Sequence, residues 1–171
     1  MKILALDSSG LVASVAVVEN DTLLAEYTVN YKKTHSQTLL PMLDEISNMT
    51  ELDLSTIDAI AVAGGPGSFT GLRIGSATAK GLGLALEKPL ISIPTTAAIA
   101  YNIWDTNKFV CPIMDARRNQ VYTGVYCYTD HRLDTVWEQD TMSIEALAEG
   151  LNCLDHEVIF LGDGVAGYRE K

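Results

Sequence analysis

"GGPGSFTGLRIG", residues 64–75, holds five glycines and a proline in twelve positions and directly follows the apolar run "IDAIAVA". A strand, a glycine turn and a helix in that order aim free N–H groups at an anion, so a phosphate loop is the first reading to test. A Walker-type loop needs a lysine beside its last glycine, and residues 64–75 contain none; Lys80 lies well inside the helix that follows. GxGxxG is absent too. What remains is a strand-to-helix turn. The N–H groups of Gly67, Ser68 and Phe69 fall near its helix start, where they suit a weakly held anion, and Arg73 just inside the helix would assist.

Upstream of this turn, "KILALDSS", "LVASVAVVEN" and "TLLAEYTVNY" read as three consecutive strands punctuated by "SGL" and "END". "THSQTLLPMLDEISNMT" then predicts a helix with Thr34 or Ser36 as N-cap. Leu39, Leu43, Ile46 and Met49 fall at helical spacing, and Pro41 kinks the helix or marks its first turn. Downstream, "GLRIGSATAKGLGLAL" reads as a second helix, and "PLISIPTTAAIAYNI" as a short strand and a third helix. Gly75, Ala79 and Gly83 recur every four residues and make a ridge with almost no side chain, suited to close packing by another helix.

The pattern then starts again. "LDSSGLVASVAVV" from Leu6 and "MDARRNQVYTGVY" from Met114 share an aspartate in second place, a polar turn and a β-rich run. "IDAIAVAGGPGSF" likewise parallels "HEVIFLGDGVAGY", with Gly65 opposite Gly164. A unit of three strands, a helix, a strand and a glycine turn, present twice, is the arrangement of the duplicated α/β fold of actin, Hsp70 and the sugar kinases, of RNase H-like topology. The expected division is residues 1–108 and 109–171. The second unit, which stops at Lys171, is expected to be cut short, with strands at "FVCPIMDA", "VYTGVYCYT" and "VIFLG", a helix near "SIEALAEGL", and Val158, Phe160 and Val165 left exposed unless a neighbouring chain or further residues shield them.

Twelve Lys and Arg against twenty-two Asp and Glu give a formal charge of −10, which repels a nucleic-acid backbone. Any nucleic acid is therefore expected to be reached through another subunit. Asp7 interrupts the only candidate signal-peptide core, so a cytoplasmic protein without a membrane anchor is expected. Cys111, Cys127 and Cys153 are far apart and contain no CxxC, so they read as buried thiols rather than a disulfide framework or zinc ribbon.

With "DSSGLVASVAVV", "HSQTLLPML", "AVAGGPGSFTGLRIG" and "IMDARRNQVYTGVY" in this order, the chain resembles the TsaB (YeaZ-like) family of tRNA threonylcarbamoyladenosine biosynthesis. The resemblance implies a non-catalytic subunit. Its partner would be the TsaD-type transferase, which places threonylcarbamoyl on the adenosine beside the anticodon of tRNAs reading ANN codons; a TsaE-type ATPase joins the assembly. It implies no cofactor held by the chain alone, ATP and Mg²⁺ belonging to the complex, and a homodimer where TsaD is absent. On this reading the partner interface comprises His35, Leu39, Leu43, Ile46, Leu72, Gly75, Ala79 and Gly83, and Ala79→Glu breaks the complex while the fold survives.

The rival reading is an ATPase or phosphotransferase of the same fold. It would use Asp7 and Asp115 on Mg²⁺, with Ser8, Gly67, Ser68 and Arg73 around the nucleotide. Against it, Ser8 and Ser9 precede the first glycine after Asp7, and no glycine follows Asp115 in "DARRN". A triphosphate would be crowded there. His35, His131 and His156 do not cluster as a metallopeptidase requires, and no GxSxG or Ser/His/Asp set can be argued from spacing. No catalytic residue and no metal ligand is assigned. Arg117 and Arg118 read as a solvated turn or a contact for an anionic partner.

Overall fold

The computed structural model describes residues 1–31 and 34–169; Lys171, where the sequence reading ends the second unit, lies outside them. Two compact units are present, Met1–Ile93 and Pro94–Lys171.

The first unit is a five-stranded sheet of order β3-β2-β1-β4-β5, from β1 (Lys2–Asp7), β2 (Ala13–Glu19), β3 (Thr22–Val29), β4 (Ala59–Gly65) and β5 (Leu90–Pro94). β1 and β2 pair antiparallel, Leu4 opposite Val17, and β1 and β4 pair parallel, Leu4 opposite Ile60. Period-two alternation turns Leu4, Leu6, Val15 and Val17 to one face, where all are buried. The described residues of this unit include the α-helices α1 (Leu39–Thr50) and α2 (Phe69–Leu86).

Neither Thr34 nor Ser36 caps α1. A 3-10 turn at His35–Gln37 intervenes, and Thr38 takes the N-cap position, which puts Pro41 in the first turn, where a missing N–H costs nothing. Leu39, Met42, Leu43 and Ile46 are buried with the sheet residues, whereas Met49, expected on the same face, is 78% exposed.

α2 begins at Ser68, whose hydroxyl accepts the Gly71 N–H at 3.3 Å. Gly71, Gly75, Ala79 and Gly83 form its buried row, and that row faces the unit's own structure. A Cβ on Gly75 would meet Ser8 Oγ at 2.5 Å, one on Gly83 would meet Leu90 Cδ2 at 2.8 Å, and Ala79 belongs to the core beside α1 and the sheet. The small residues thus serve close helix-on-sheet packing.

The second unit repeats the plan with a four-stranded sheet of order β8-β7-β6-β9, from β6 (Phe109–Asp115), β7 (Gln120–Thr129), β8 (Arg132–Ser143) and β9 (Val158–Leu161). β6 and β7 are antiparallel, β6 and β9 parallel, as in the first sheet. The α/β duplication of actin-like type is therefore present as expected, and the described residues contain no counterpart of β5. β8 was not among the expected strands: "RLDTVWEQDTMS" is mostly polar because an edge strand exposes much of its length. α4 (Ile144–Asn152) is capped by Ser143 and buries Ile144, Leu147 and Leu151. After β9 comes α5 (Val165–Tyr168), one short turn; Val158 and Val165 pack against the core beneath α4, leaving Phe160 45% exposed. Ladder register anchored on Asp7 and Asp115 sets Ala59 equivalent to Phe160, so Gly65 and Gly164 are not structural equivalents.

The division falls after Ile93 instead of after residue 108 because α3 (Thr95–Ala100) packs on the second sheet. Ala100 is buried with Val110 and Tyr126, and Thr96 Oγ1 lies 2.7 Å from the Tyr126 hydroxyl while donating to Gln139 Oε1 at 2.9 Å. Among the described residues no helix is long and apolar enough to cross a membrane.

Candidate functional site: the glycine turn and the outer face of α2

At the carboxyl end of β1, Asp7 Oδ1 accepts the Ser9 N–H at 2.7 Å and closes a tight turn. Asp115, at the end of β6, does the same with the Arg117 N–H at 2.8 Å and also pairs with the Arg117 guanidinium at 3.7 Å. The two aspartates therefore play one local role in both units. Arg117, Arg118 and Asn119 all have φ between 53° and 67°, so the second turn is left-handed throughout and Arg117 is solvated.

Within the first unit the turn after β1 closes onto the glycine turn after β4. The Ser68 N–H donates to the Ser9 carbonyl at 2.7 Å, and Ser8 Oγ donates to the Gly71 carbonyl at 2.9 Å. Gly67 (φ 154°) and Gly71 lie so close to the Ser9 and Ser8 carbonyls that a Cβ at either would overlap them. Carbonyl oxygens, each partially negative, thus stand where a phosphate would need donors. Of the proposed nucleotide contacts, Ser8 and the Ser68 N–H already bond to the protein's own backbone. Arg73 has its guanidinium over the Phe69 ring, 5.3 Å from the centroid, stacked along the outside of α2. These groups are therefore engaged within the first unit.

The proposed interface residues divide in the same way. Leu39, Leu43, Ile46, Gly75, Ala79 and Gly83 are interior to the unit and inaccessible to a partner, and only Leu72 and His35 are partly exposed. His35 turns inward, its Nε2 2.9 Å from the Gly10 carbonyl.

The accessible surface is the opposite side of the same helix. Phe69, Arg73, Ala77, Lys80 and Leu84 follow one another at three- and four-residue spacing and all are exposed, Phe69 at 75% and Leu84 at 84%. Phe69, Leu72, Arg73, Ser76, Ala77 and Lys80 line a shallow groove there. On α1, which packs beside α2, Leu40 is 52% exposed. α2 contains two cations and no acid in a chain of charge −10. Sequence reasoning missed this face because Phe69 and Leu84 stand on it beside Arg73 and Lys80, and the small-residue ridge was the more conspicuous periodicity.

Among the described residues no group of three His, Cys, Asp or Glu side chains is placed to hold a metal. His131 Nδ1 lies 2.6 Å from Asp105 Oδ2, and His156 packs on Phe109. Burial pushes the Cys111 thiol up to about 11, which makes it inert; Cys153 is exposed, contrary to the reading of all three cysteines as buried.

A family model described as "TsaD: tRNA N6-adenosine threonylcarbamoyltransferase" matches residues 22–171. The tRNA threonylcarbamoyladenosine biosynthesis protein TsaB of Bacillus subtilis is 35% identical over 170 residues, covering 99% of this chain and 74% of its own. The Escherichia coli protein of the same name is 33% identical, covering 96% and 72%. A crystal structure from Pseudomonas aeruginosa, described as an uncharacterized protein with similarity to peptidase YEAZ, superposes with a TM-score of 0.87 at 30% identity, covering 99% of this chain and 78% of that one. By these matches, on top of its duplicated sheets and glycine turn, the chain belongs to the TsaB (YeaZ) family.

Proposed function

We propose that this chain is a non-catalytic subunit that binds and activates a TsaD-type threonylcarbamoyltransferase, for threonylcarbamoyladenosine formation beside the anticodon of tRNAs reading ANN codons. The names of its relatives supply the pathway. The observation that carries the subunit role is the exposed row Phe69, Arg73, Ala77, Lys80 and Leu84, with Leu40 on the neighbouring helix. Two large apolar side chains held on a rigid helix at three-quarters exposure or more are what an interface core is built from. Between them Ala77 is small, and Arg73 and Lys80 add two cations to the row. The same face serves self-association when the transferase is absent, and a TsaE-type ATPase joins the assembled complex. A charge of −10 leaves tRNA to be held by the partner.

Phe69→Glu combined with Leu84→Glu is expected to weaken binding to the TsaD-type protein at least about tenfold, since each change puts a carboxylate into the desolvated contact. Both side chains are exposed, so the far-ultraviolet circular dichroism and urea midpoint should stay at wild-type values. Undiminished co-elution of the double variant would move the interface elsewhere.

The ATPase reading is disfavoured by the closed turns at Ser8–Ser9 and Gly67–Gly71. Calorimetric titration of the isolated chain with Mg·ATP should give no measurable heat of binding. ATP and Mg²⁺ are reserved for the complex with TsaD and the ATPase. Micromolar affinity in the chain alone would restore the enzyme reading, with Asp7 and Asp115 as its metal-holding pair.

A further inference from the structure

His35 occupies the 3-10 turn that leads into α1, and Thr38, the N-cap residue, bonds back to the His35 carbonyl through both its N–H (3.2 Å) and its hydroxyl (3.3 Å). The imidazole reaches across to the turn after β1, where Nε2 lies 2.9 Å from the Gly10 carbonyl. A carbonyl can only accept, so Nε2 carries the proton and donates. The same ring abuts the first turn of α2: a Cβ on Gly71 would lie 3.3 Å from His35 Cδ2. One half-buried residue therefore holds the approach to α1 through its backbone carbonyl and touches the β1–β2 turn and the start of α2 through its ring.

These contacts form a chain. The β1–β2 turn is itself bonded to α2, through Ser8 Oγ to the Gly71 carbonyl and through the Ser9 carbonyl to the Ser68 N–H. His35 adds the link from that turn to α1. Leu40 and Phe69, two exposed apolar residues of the proposed interface, stand within one helical turn of these contacts, near the starts of α1 and α2.

We propose that His35 is a positioning residue, setting the spacing between the starts of α1 and α2 and so the shape of the partner-binding face, without contacting the partner. This rests on the partner reading above. It differs from the expectation that His35 is itself a contact residue, because its Nε2 is engaged by the Gly10 carbonyl and its ring abuts the start of α2.

The test compares His35→Leu with His35→Gln in the isolated chain and in titration with the TsaD-type transferase. Glutamine keeps a donor close to the position of Nε2; leucine fills comparable space without one. His35→Leu should shift the backbone amide resonances of Leu40 and Phe69 and weaken partner binding about tenfold, the order expected for one lost side chain–backbone hydrogen bond. His35→Gln should return both toward wild type. Binding lost with those resonances unmoved would make His35 a direct contact and overturn the proposal, as would two variants that change neither readout. If the unmodified chain fails to bind the transferase, the partner reading falls, while the amide shifts of the isolated variants still decide the positioning role.

Discussion

Ala79→Glu is expected to unfold the first unit. Ala79 has no exposed surface and sits in the core with Leu43, Ile60 and Val62, so the glutamate would bring a carboxylate into an apolar site that offers no cation. An uncompensated buried charge costs roughly 3–5 kcal/mol, a large share of the 5–15 kcal/mol that holds a typical domain together. Urea denaturation followed by circular dichroism should show a much lower midpoint or no cooperative transition. Partner binding would then be lost through unfolding, which reverses the sequence-based expectation that the fold survives this change. A variant with the wild-type midpoint but no partner binding would mean that the small-residue ridge faces outward after all.

The second large effect is expected at Gly71. A methyl group there would run into the Ser8 carbonyl, and because both sites are backbone, no side-chain rotation relieves the overlap. Gly71→Ala should therefore push the start of α2 off the β1–β2 turn, weakening the Ser8–Gly71, Ser68–Ser9 and His35–Gly10 hydrogen bonds together. Overpacking of this kind costs about 1–3 kcal/mol, and the lost hydrogen bonds place the expected value near the top of that range. Gly81 is the internal control. It lies in the same helix, exposed, with nothing within 4 Å of the place a methyl group would take, so Gly81→Ala should stabilise by roughly 0.5–1 kcal/mol through helix propensity alone. Equal urea midpoints for the two variants would remove the steric argument for how the glycine turn closes.

The contrast between these two glycines shows where sequence reasoning reached its limit. Two kinds of information are local and were legible. Alternation in "KILALD" and "ASVAVVE" and the order of strands around "AIAVAGGPGSF" depend on period-two patterning and turn chemistry, and both the duplicated α/β architecture and the position of the glycine turn follow from them. The family followed from the same motifs. The absence of a Walker lysine and of glycines after Asp115 was likewise readable, because those chemistries demand particular residues at particular spacings.

Direction was not legible. α2 carries small residues along one side and Phe69, Leu72 and Leu84 along or beside the other, so hydrophobic periodicity alone could not say which side meets the sheet. The decision came from β4 and the turn after β1, which approach α2 so closely that only Gly71, Gly75 and Ala79 fit beneath it. The tertiary structure therefore placed the ridge inside and left Phe69 and Leu84 on the surface. In the same way α3 follows β5 in sequence, yet Thr96 and Ala100 find their partners Tyr126, Gln139 and Val110 on the second sheet, moving the unit boundary. By itself the sequence determined most of the elements, β8 and the short α5 excepted, their order and the family. Which face of α2 is buried, where His35 points and whether the glycine turn is open or closed depend on contacts between residues 25 to 63 positions apart, such as His35–Gly10 and Ser8–Gly71, and only the folded chain brings those together.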